Sequence, residues 1–260
     1  MGDDAVRLAS ADDARVIVAL YTEGAAPWVV PRTALGCPGA AAYVGSLVEQ
    51  RGPGWSSQFW MAGTDAFLQL RRLDPRTVMI NNIFVRGGAR GRGLGTALLR
   101  HGLSEHPQFE RVVLDVFDDN APARAWYEAL GFEFNPGRTW LERALPPAGT
   151  GEYQVEDLPQ ADAVHRAFGF SMVRVETPAG DHAVGRLGDD TFRIPAPSAL
   201  HDPGLVCALA NLGPHRRVLS LGSAQDTSPP WTSLGSSHRG TIERAALLAA
   251  LHARRRNDAR

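Results

Sequence analysis

The stretch Val85 to Leu99, V-R-G-G-A-R-G-R-G-L-G-T-A-L-L, decides how the rest of the chain is read. Before it, Thr77 to Val85 (T-V-M-I-N-N-I-F-V) has the β-branched and apolar content of a buried strand. After it, Leu94, Ala97, Leu98 and Leu103 recur at helical spacing. Between strand and helix lie Gly87, Gly88, Gly91, Gly93 and Gly95. So bare a turn lets an anion reach the backbone, and the first N–H groups of the following helix have no intrahelical partner. Together with the positive end of the helix dipole they make an anion site. Two familiar phosphate loops fail on a required residue. A Walker loop needs Lys directly after its last Gly, where Leu94 follows Gly93, and G-x-G-x-x-G begun at Gly91 meets Thr96. The pattern that fits is Arg90-x-x-Gly93-x-Gly95.

A second pattern follows at a helix-and-strand interval. Arg111 to Phe117 reads as a strand and runs into Asn120-Ala121-Pro122-Ala123-Arg124-Ala125-Trp126-Tyr127-Glu128-Ala129-Leu130-Gly131-Phe132. With Arg90-x-x-Gly93-x-Gly95 before it, this N-x-x-A-x-x-x-Y-x-x-x-G-F run resembles the GNAT superfamily of acyl-CoA-dependent N-acetyltransferases over residues of about 5–145. The resemblance implies an α/β fold built on a mixed sheet, with acetyl-CoA as cosubstrate.

Composition sets the bounds. A chain of 260 residues exceeds one typical domain, so a second unit is expected, and an apolar fraction of 44% suffices for its cores. A formal net charge of −1 gives no bulk electrostatic reason for a nucleic-acid or membrane partner. Lys is absent, so the choice of Arg at any one site carries little information. The two cysteines, Cys37 and Cys207, and the lack of any Cys/His ligand cluster fit a reducing, cytoplasmic setting without a metal. Neither a signal peptide nor a long apolar run is evident.

Taken in order, Val6 to Leu8 is strand material. Ser10 caps a helix whose apolar face is Val16, Ile17, Ala19 and Leu20. Glu23 to Gly54 is rich in Gly, Pro and Ala, and by the resemblance it covers the acceptor, with Trp28, Trp55 and Trp60 available to a pocket. Gln58 to Ala62 and Ala66 to Leu73 form a hairpin about Gly63-Thr64-Asp65. After Phe132, a turn at Asn135-Pro136-Gly137 and a strand from Thr139 to Leu145 are expected to close the first domain, 1–145. A linker of Pro/Gly composition occupies 146–151.

The remainder, 152–260, reads as a smaller α/β unit. Its helices are expected from Asp157, with Ala163, Val164 and Phe168 inside, from Gly204 to Leu212, and from Thr241 to Arg256, with Ala245, Ala246, Leu248 and Leu251 inside. Val218-Leu219 before Trp231, with Leu234-Gly235 after it, echoes Val113-Leu114, Trp126 and Leu130-Gly131. The unit is therefore either a degenerate half-repeat without a coenzyme site or an unrelated appendage. The basic end at Arg254-Arg255-Arg256 suits a helix C-terminus.

The resemblance assigns roles. Arg90, Gly91, Arg92, Gly93, Leu94, Gly95 and Thr96 would hold the pyrophosphate. Phe84 and Val85 would pair with the pantetheine arm, the Val85 N–H reaching the thioester oxygen. Asn120, Ala123 and Tyr127 complete the coenzyme site, Tyr127 as proton donor to the departing thiolate. The Glu that some relatives carry on the motif strand is here Met79. Asn81 and Asn82 cannot accept a proton, which leaves Asp115 and Glu23 as candidate bases. The expected activity is acetyl transfer to a primary amine of a small molecule or protein, by a monomer or homodimer. The alternative is a non-catalytic acyl-CoA-binding module that meets a partner through its C-terminal unit.

Overall fold

The computed structural model describes residues 6–50, 52 and 54–258, without side chains for 224 and 255–258. In chain order the elements are β1 (Val6–Leu8), α1 (Ala14–Gly24), α2 (Ala40–Glu49), β2 (Ser57–Ala62), β3 (Ala66–Arg72), β4 (Thr77–Val85), α3 (Leu94–Ser104), β5 (Arg111–Phe117), α4 (Ala121–Glu128) and β6 (Glu133–Ala144). Then come β7 (Gln154–Glu156), α5 (Leu158–Phe168), β8 (Phe170–Thr177), β9 (Gly180–Leu187), β10 (Thr191–Ile194), α6 (Pro203–Asn211), β11 (Arg217–Gly222), β12 (Thr232–Glu243) and α7 (Arg244–Asp258). No helix among the described residues is long and apolar enough to cross a membrane.

Two compact units emerge, and neither is a continuous piece of chain. Unit 1 comprises 1–25, 43–137 and 237–260; unit 2 comprises 26–42 and 138–236. The expected boundary at 146–151 therefore falls inside unit 2.

In unit 1, β1, β2, β3 and β4 pair antiparallel in succession. β5 lies parallel to β4, with α3 as the crossover, and β12 adds antiparallel to β5. On one face, the alternating residues Leu68, Leu70, Val78, Ile80, Val112 and Leu114 pack with Leu98, Leu99 and Leu103 of α3. α7 contributes Leu247 and Leu251 to the same core. On the other face Phe84 stacks on Phe67 and meets Tyr21 of α1 edge-on, each at 5.5 Å between ring centroids. Arg7 and Asp13 pin the entry to α1 with two bonds of 2.7 Å, and this guanidinium holds the Asp13 carboxyl down at about 2. α7 is tied down by Arg244, which donates to the carbonyls of Phe109 (2.8 Å), Leu103 (3.2 Å) and Pro107 (3.4 Å). Arg254 donates to the Ala129 carbonyl at the end of α4.

Unit 2 has the same plan. β7, β8, β9 and β10 are successively antiparallel, β11 lies parallel to β10 across α6, and β6 adds antiparallel to β11. Its core joins Val173, Val175, Val184, Phe192 and Val218 to Ala161 of α5 and Leu205, Ala208 and Leu209 of α6.

Several expectations are corrected. Asn135-Pro136-Gly137 is no turn but part of the continuous strand β6. The Cα of Gly137 lies so close to Ser237 that a Cβ there would come within 2.5 Å of its carbonyl oxygen, a strand-to-strand approach that only Gly permits. Trp231, Leu234 and Gly235 do not repeat the helix of the first half, because β11 is followed by a short 3-10 turn and then β12. The repeat is real in topology and absent from that echo. Ala19, Ala163, Ala245 and Ala246 are exposed, and Tyr21, Ala161 and Leu247 take the buried helical positions instead. Small alanines give little periodic signal, which is why the phase slipped. The side chains of Arg255 and Arg256 lie outside the described residues.

Arg244→Ala removes charge-assisted bonds to three carbonyls, and a loss of about 1.5–3 kcal/mol is expected in urea unfolding. A loss below about half a kcal/mol would show that these three bonds do not stabilise the docking of α7.

Candidate active site

The geometry of the site begins with one extra residue. Leu70 pairs with Ile80 but Gln69 pairs with Asn82, so Asn81 is the additional residue of a β-bulge in β4. On the opposite edge, pairing of β4 with β5 runs from Thr77/Arg111 to Ile80/Leu114 and stops there. β4 continues to Val85 and β5 to Phe117, the latter paired with β12. A slot thus opens between the two parallel strands.

Which backbone groups face it follows from the ladder. Arg86 N–H donates to the Asp65 carbonyl at 2.8 Å, which sets the alternation along β3 and β4. The groups of Asn82 and Phe84 are committed to β3, and those of Ile83 and Val85 point away from it, to the side β5 has left. Of the two strand residues expected to pair with the coenzyme, Val85 is so placed. Phe84 supplies a ring to the opposite face, and Ile83 is the residue that sequence reasoning missed.

The loop leading into α3 is exposed at Arg86, Gly87, Gly88, Arg90, Gly91, Arg92 and Gly93. Gly91 and Gly93 hold φ of +75° and +74°, a region in which a side chain is strained, and Gly93 is the residue that caps α3. Arg90 Nε donates to the Val85 carbonyl at 3.2 Å and braces the loop against the end of β4. Arg86 pairs with Glu23 at 2.8 Å, and Asp65 lies 3.9 Å from Arg86 and 3.7 Å from Arg92. Leu94 is buried, while Gly95 and Thr96 are half-buried. The indole of Trp126 covers Gly95, where a Cβ would meet its Cη2 at 3.4 Å. The two motif helices therefore touch, and Trp126 is a contact that the motif itself does not specify.

Asn120 caps α4 by accepting from the Ala123 N–H at 3.3 Å. Ala123 is half-buried on the first turn, against the unit 1 core. Tyr127, one turn on, is 6% exposed and packs against Trp126 (4.9 Å) and, edge-on, Phe132 (5.3 Å). Its hydroxyl makes no hydrogen bond among the described residues. Burial alone pushes its pKa well above that of an ordinary phenol, so the proton is held throughout the working range.

Both candidate bases are engaged elsewhere. Asp115 takes a two-pronged bond from Arg239 at 2.5 and 2.8 Å, and Glu23 pairs with Arg86. Asn81 and Asn82 both donate to Gln69 Oε1, at 2.9 and 2.6 Å, and Gln69 Nε2 donates to Ser57 Oγ at 3.2 Å. The three tryptophans expected to be available to a pocket each pack on neighbouring rings. Trp55 packs on His106 and Phe109 and Trp60 on His101, both in the unit 1 core, and Trp28 packs on Trp140 in unit 2.

The corresponding crossover in unit 2 is closed. β10 pairs over its whole length with β11, so no slot opens. The first N–H groups of α6 are satisfied by Asp202 Oδ1, which accepts from Gly204 (2.9 Å) and Leu205 (3.4 Å). Asp202 Oδ2 accepts from the Thr177 hydroxyl at 2.6 Å and contacts His182 Nε2 at 2.7 Å. A carboxylate of the chain itself occupies the position an anionic ligand would need.

Residues 45–132 match the model of the acetyltransferase (GNAT) family. N-alpha-acetyltransferase 40 of Saccharomyces cerevisiae is 36% identical over 77 residues, which are 26% of this chain and 27% of that protein. The chain thus spans about a quarter of the length of this curated relative. A tandem GNAT protein from the clavulanic acid biosynthesis pathway superposes with a TM-score of 0.60 at 16% identity, covering 92% of this chain and 98% of the other. A GCN5-related N-acetyltransferase from Sphaerobacter thermophilus gives a TM-score of 0.56 at 14% identity, with coverages of 92% and 95%. Both share the fold over nearly the whole chain.

The chain has four tyrosines. In a spectrophotometric titration, wild type and Tyr127→Phe are expected to gain equal phenolate absorbance until the protein unfolds at alkaline pH. A wild-type excess of one phenolate below that point would show that Tyr127 is open to solvent.

Proposed function

We propose that this chain, whose residues 45–132 match the GNAT acetyltransferase model, transfers an acetyl group from acetyl-CoA to a primary amine in unit 1. The observation that supports the reading best is the divergence of β4 from β5 beyond Ile80, directly before a glycine-led helix N-terminus. An extended pantetheine arm can add to the free edge of β4 as a strand would, and the N–H groups of the loop and of α3 suit a pyrophosphate.

Each residue has a task. The N–H groups from Gly91 to Thr96, with Arg90 and Arg92, hold the phosphates. The Val85 N–H, at the free edge, stabilises the negative charge that develops on the thioester oxygen. As the carbon–sulfur bond breaks, Tyr127 delivers its proton to the leaving sulfur and regains one from solvent as the product amine loses its own. Tyr127 carries its proton throughout the working range, as the role requires, and the burial that raises its pKa makes transfer depend on the sulfur's developing negative charge.

With Asp115 held by Arg239, Glu23 by Arg86 and Met79 on the motif strand, the acceptor amine must arrive largely neutral. The yeast relative is named an N-alpha-acetyltransferase, and a protein α-amine, with a reference pKa of about 8 against about 10.4 for a Lys amine, meets that condition best.

The reading is tested by calorimetric titration of acetyl-CoA together with thiol release in the presence of amines. One coenzyme is expected to bind per chain, weakened about tenfold or more by Gly93→Ala, whose φ of +74° strains any side chain. Tyr127→Phe is expected to lower kcat about 10²-fold or more with binding unchanged. Coenzyme binding without thiol release across a broad amine panel would instead support the non-catalytic module.

The acid limb of kcat/KM is expected to follow the acceptor. Its midpoint should lie at pH ~8 for an α-amine and about two units higher for a Lys amine, because the neutral form reacts. A limb fixed at one pH for both amines would place the titrating base on the protein.

A further inference from the structure

The bulge at Asn81 has a second effect, on the face of the sheet that carries Phe67, Phe84 and α1. Along a regular strand Asn81 and Asn82 would point to opposite faces. Here the extra residue brings both to the face of Gln69, and both carboxamides donate to its Oε1, at 2.9 and 2.6 Å. Gln69 is 6% exposed and directs its own N–H at Ser57 Oγ, itself 6% exposed. One N–H of each amide is thus drawn inward along a single chain of hydrogen bonds, which fixes how each carboxamide is turned. Each asparagine keeps its second N–H and its carbonyl acceptor Oδ1, so the pair offers two carbonyl oxygens held in fixed orientation, and both residues are half-buried. They stand where β4 leaves β5, beside Asp115, whose two oxygens are taken by Arg239.

We infer that Asn81 and Asn82 are the acceptor-recognition element of the site, selecting a primary amine by receiving both of its N–H groups, with Gln69 as the positioning residue that orients them. This rests on the acetyl-transfer reading above and names the residues that would recognise the primary amine of that reading. A primary amine has two N–H bonds and one lone pair. Two acceptors that hold the N–H groups leave the lone pair in the third direction, free for attack. A secondary amine satisfies one acceptor and leaves the other desolvated without a partner, which is the costly case for a polar group. No proton is taken by either carboxamide, in keeping with an amine that arrives neutral.

The test uses the full chain loaded with coenzyme A at a pH of about 8.5, above the reference pKa of about 8 of an α-amine, so that the neutral amine predominates. The ¹⁵N carboxamide resonances of Asn81 and Asn82, assigned with N81L and N82L, are followed during titration with a side-chain-blocked tetrapeptide bearing a free α-amine. Its N-methyl and N-acetyl forms are titrated in parallel. The free amine is expected to shift both resonances, the N-methyl form to bind about tenfold more weakly, and the N-acetyl form to leave them unmoved. Gln69→Met is expected to weaken free-amine binding about tenfold and to erase the preference over the N-methyl form, with coenzyme affinity unchanged. Gln69→Glu is expected to restore both, because a buried, protonated Glu donates to Ser57 and accepts from both asparagines as Gln does.

Resonances unmoved by the free amine, or equal binding of the N-methyl form, would overturn the assignment. So would a Gln69→Glu variant as impaired as Gln69→Met. Thiol release is measured on parallel samples that carry acetyl-CoA in place of coenzyme A. Amine binding at Asn81 and Asn82 without thiol release overturns acetyl transfer and leaves the recognition element standing. Thiol release with both resonances unmoved does the reverse.

Discussion

The extra residue in β4 is the constraint from which the geometry of unit 1 follows. Up to Ile80, β4 holds β3 on one side and β5 on the other, and its backbone is fully spent. One added residue at Asn81 bends the strand and increases its twist, as bulges do, and the ladder to β5 cannot continue. The backbone groups of Ile83 and Val85 are left facing a gap, a state tolerable in a folded protein only at an edge that solvent or a ligand can reach. The glycine loop follows within a few residues, so the free edge and the helix N-terminus are presented together. Arg90, bonded to the Val85 carbonyl, ties one to the other.

Unit 2 shows what the same topology does without that residue. Its parallel pair is complete, its crossover loop is rich in Pro where unit 1 is rich in Gly, and Asp202 caps the helix that an anion would approach. Desolvation works against the ionised form of Asp202, yet the bonds from Thr177, His182, Leu205 and Gly204 outweigh it and hold its carboxyl below the usual range. The helix dipole that unit 1 keeps for a ligand is satisfied internally here, which converts a binding site into a fixed point of the core. Both units nevertheless need chain from elsewhere, since unit 1 is completed by 237–260 and unit 2 by 26–42.

This arrangement explains how far the sequence could be read. β4, the loop, α3, β5 and α4 were legible to within a residue or two because their signals are local: β-branched runs, closely spaced glycines, and Asn120 two residues before Pro122 on the first turn of a helix. What was not legible depends on partners distant in sequence. Pro136 and Gly137 have the local chemistry of a turn, and only the approach of Ser237, a hundred residues on, makes them strand. The commitment of Asp115 to Arg239 is likewise invisible from the sequence, and it turns a candidate base into an ion pair. The bulge itself escaped, because N-N in an apolar strand reads as two polar residues on opposite faces until the register with Gln69 is known.

Those two asparagines also show why the roles of polar residues in such a strand cannot be assigned singly. Each carboxamide carries donors and an acceptor, and which end is available depends on what the other end has met. Gln69 settles that for both, and Ser57 settles it for Gln69, so the polarity at the bulge is inherited through a buried chain from β2 to β3 to β4. Buried networks of this kind hold one orientation because reversing any member would leave a desolvated group unpaired. The sheet thereby fixes the backbone edge that faces the slot and, through one glutamine, the orientation of the two carboxamides on the face beside it.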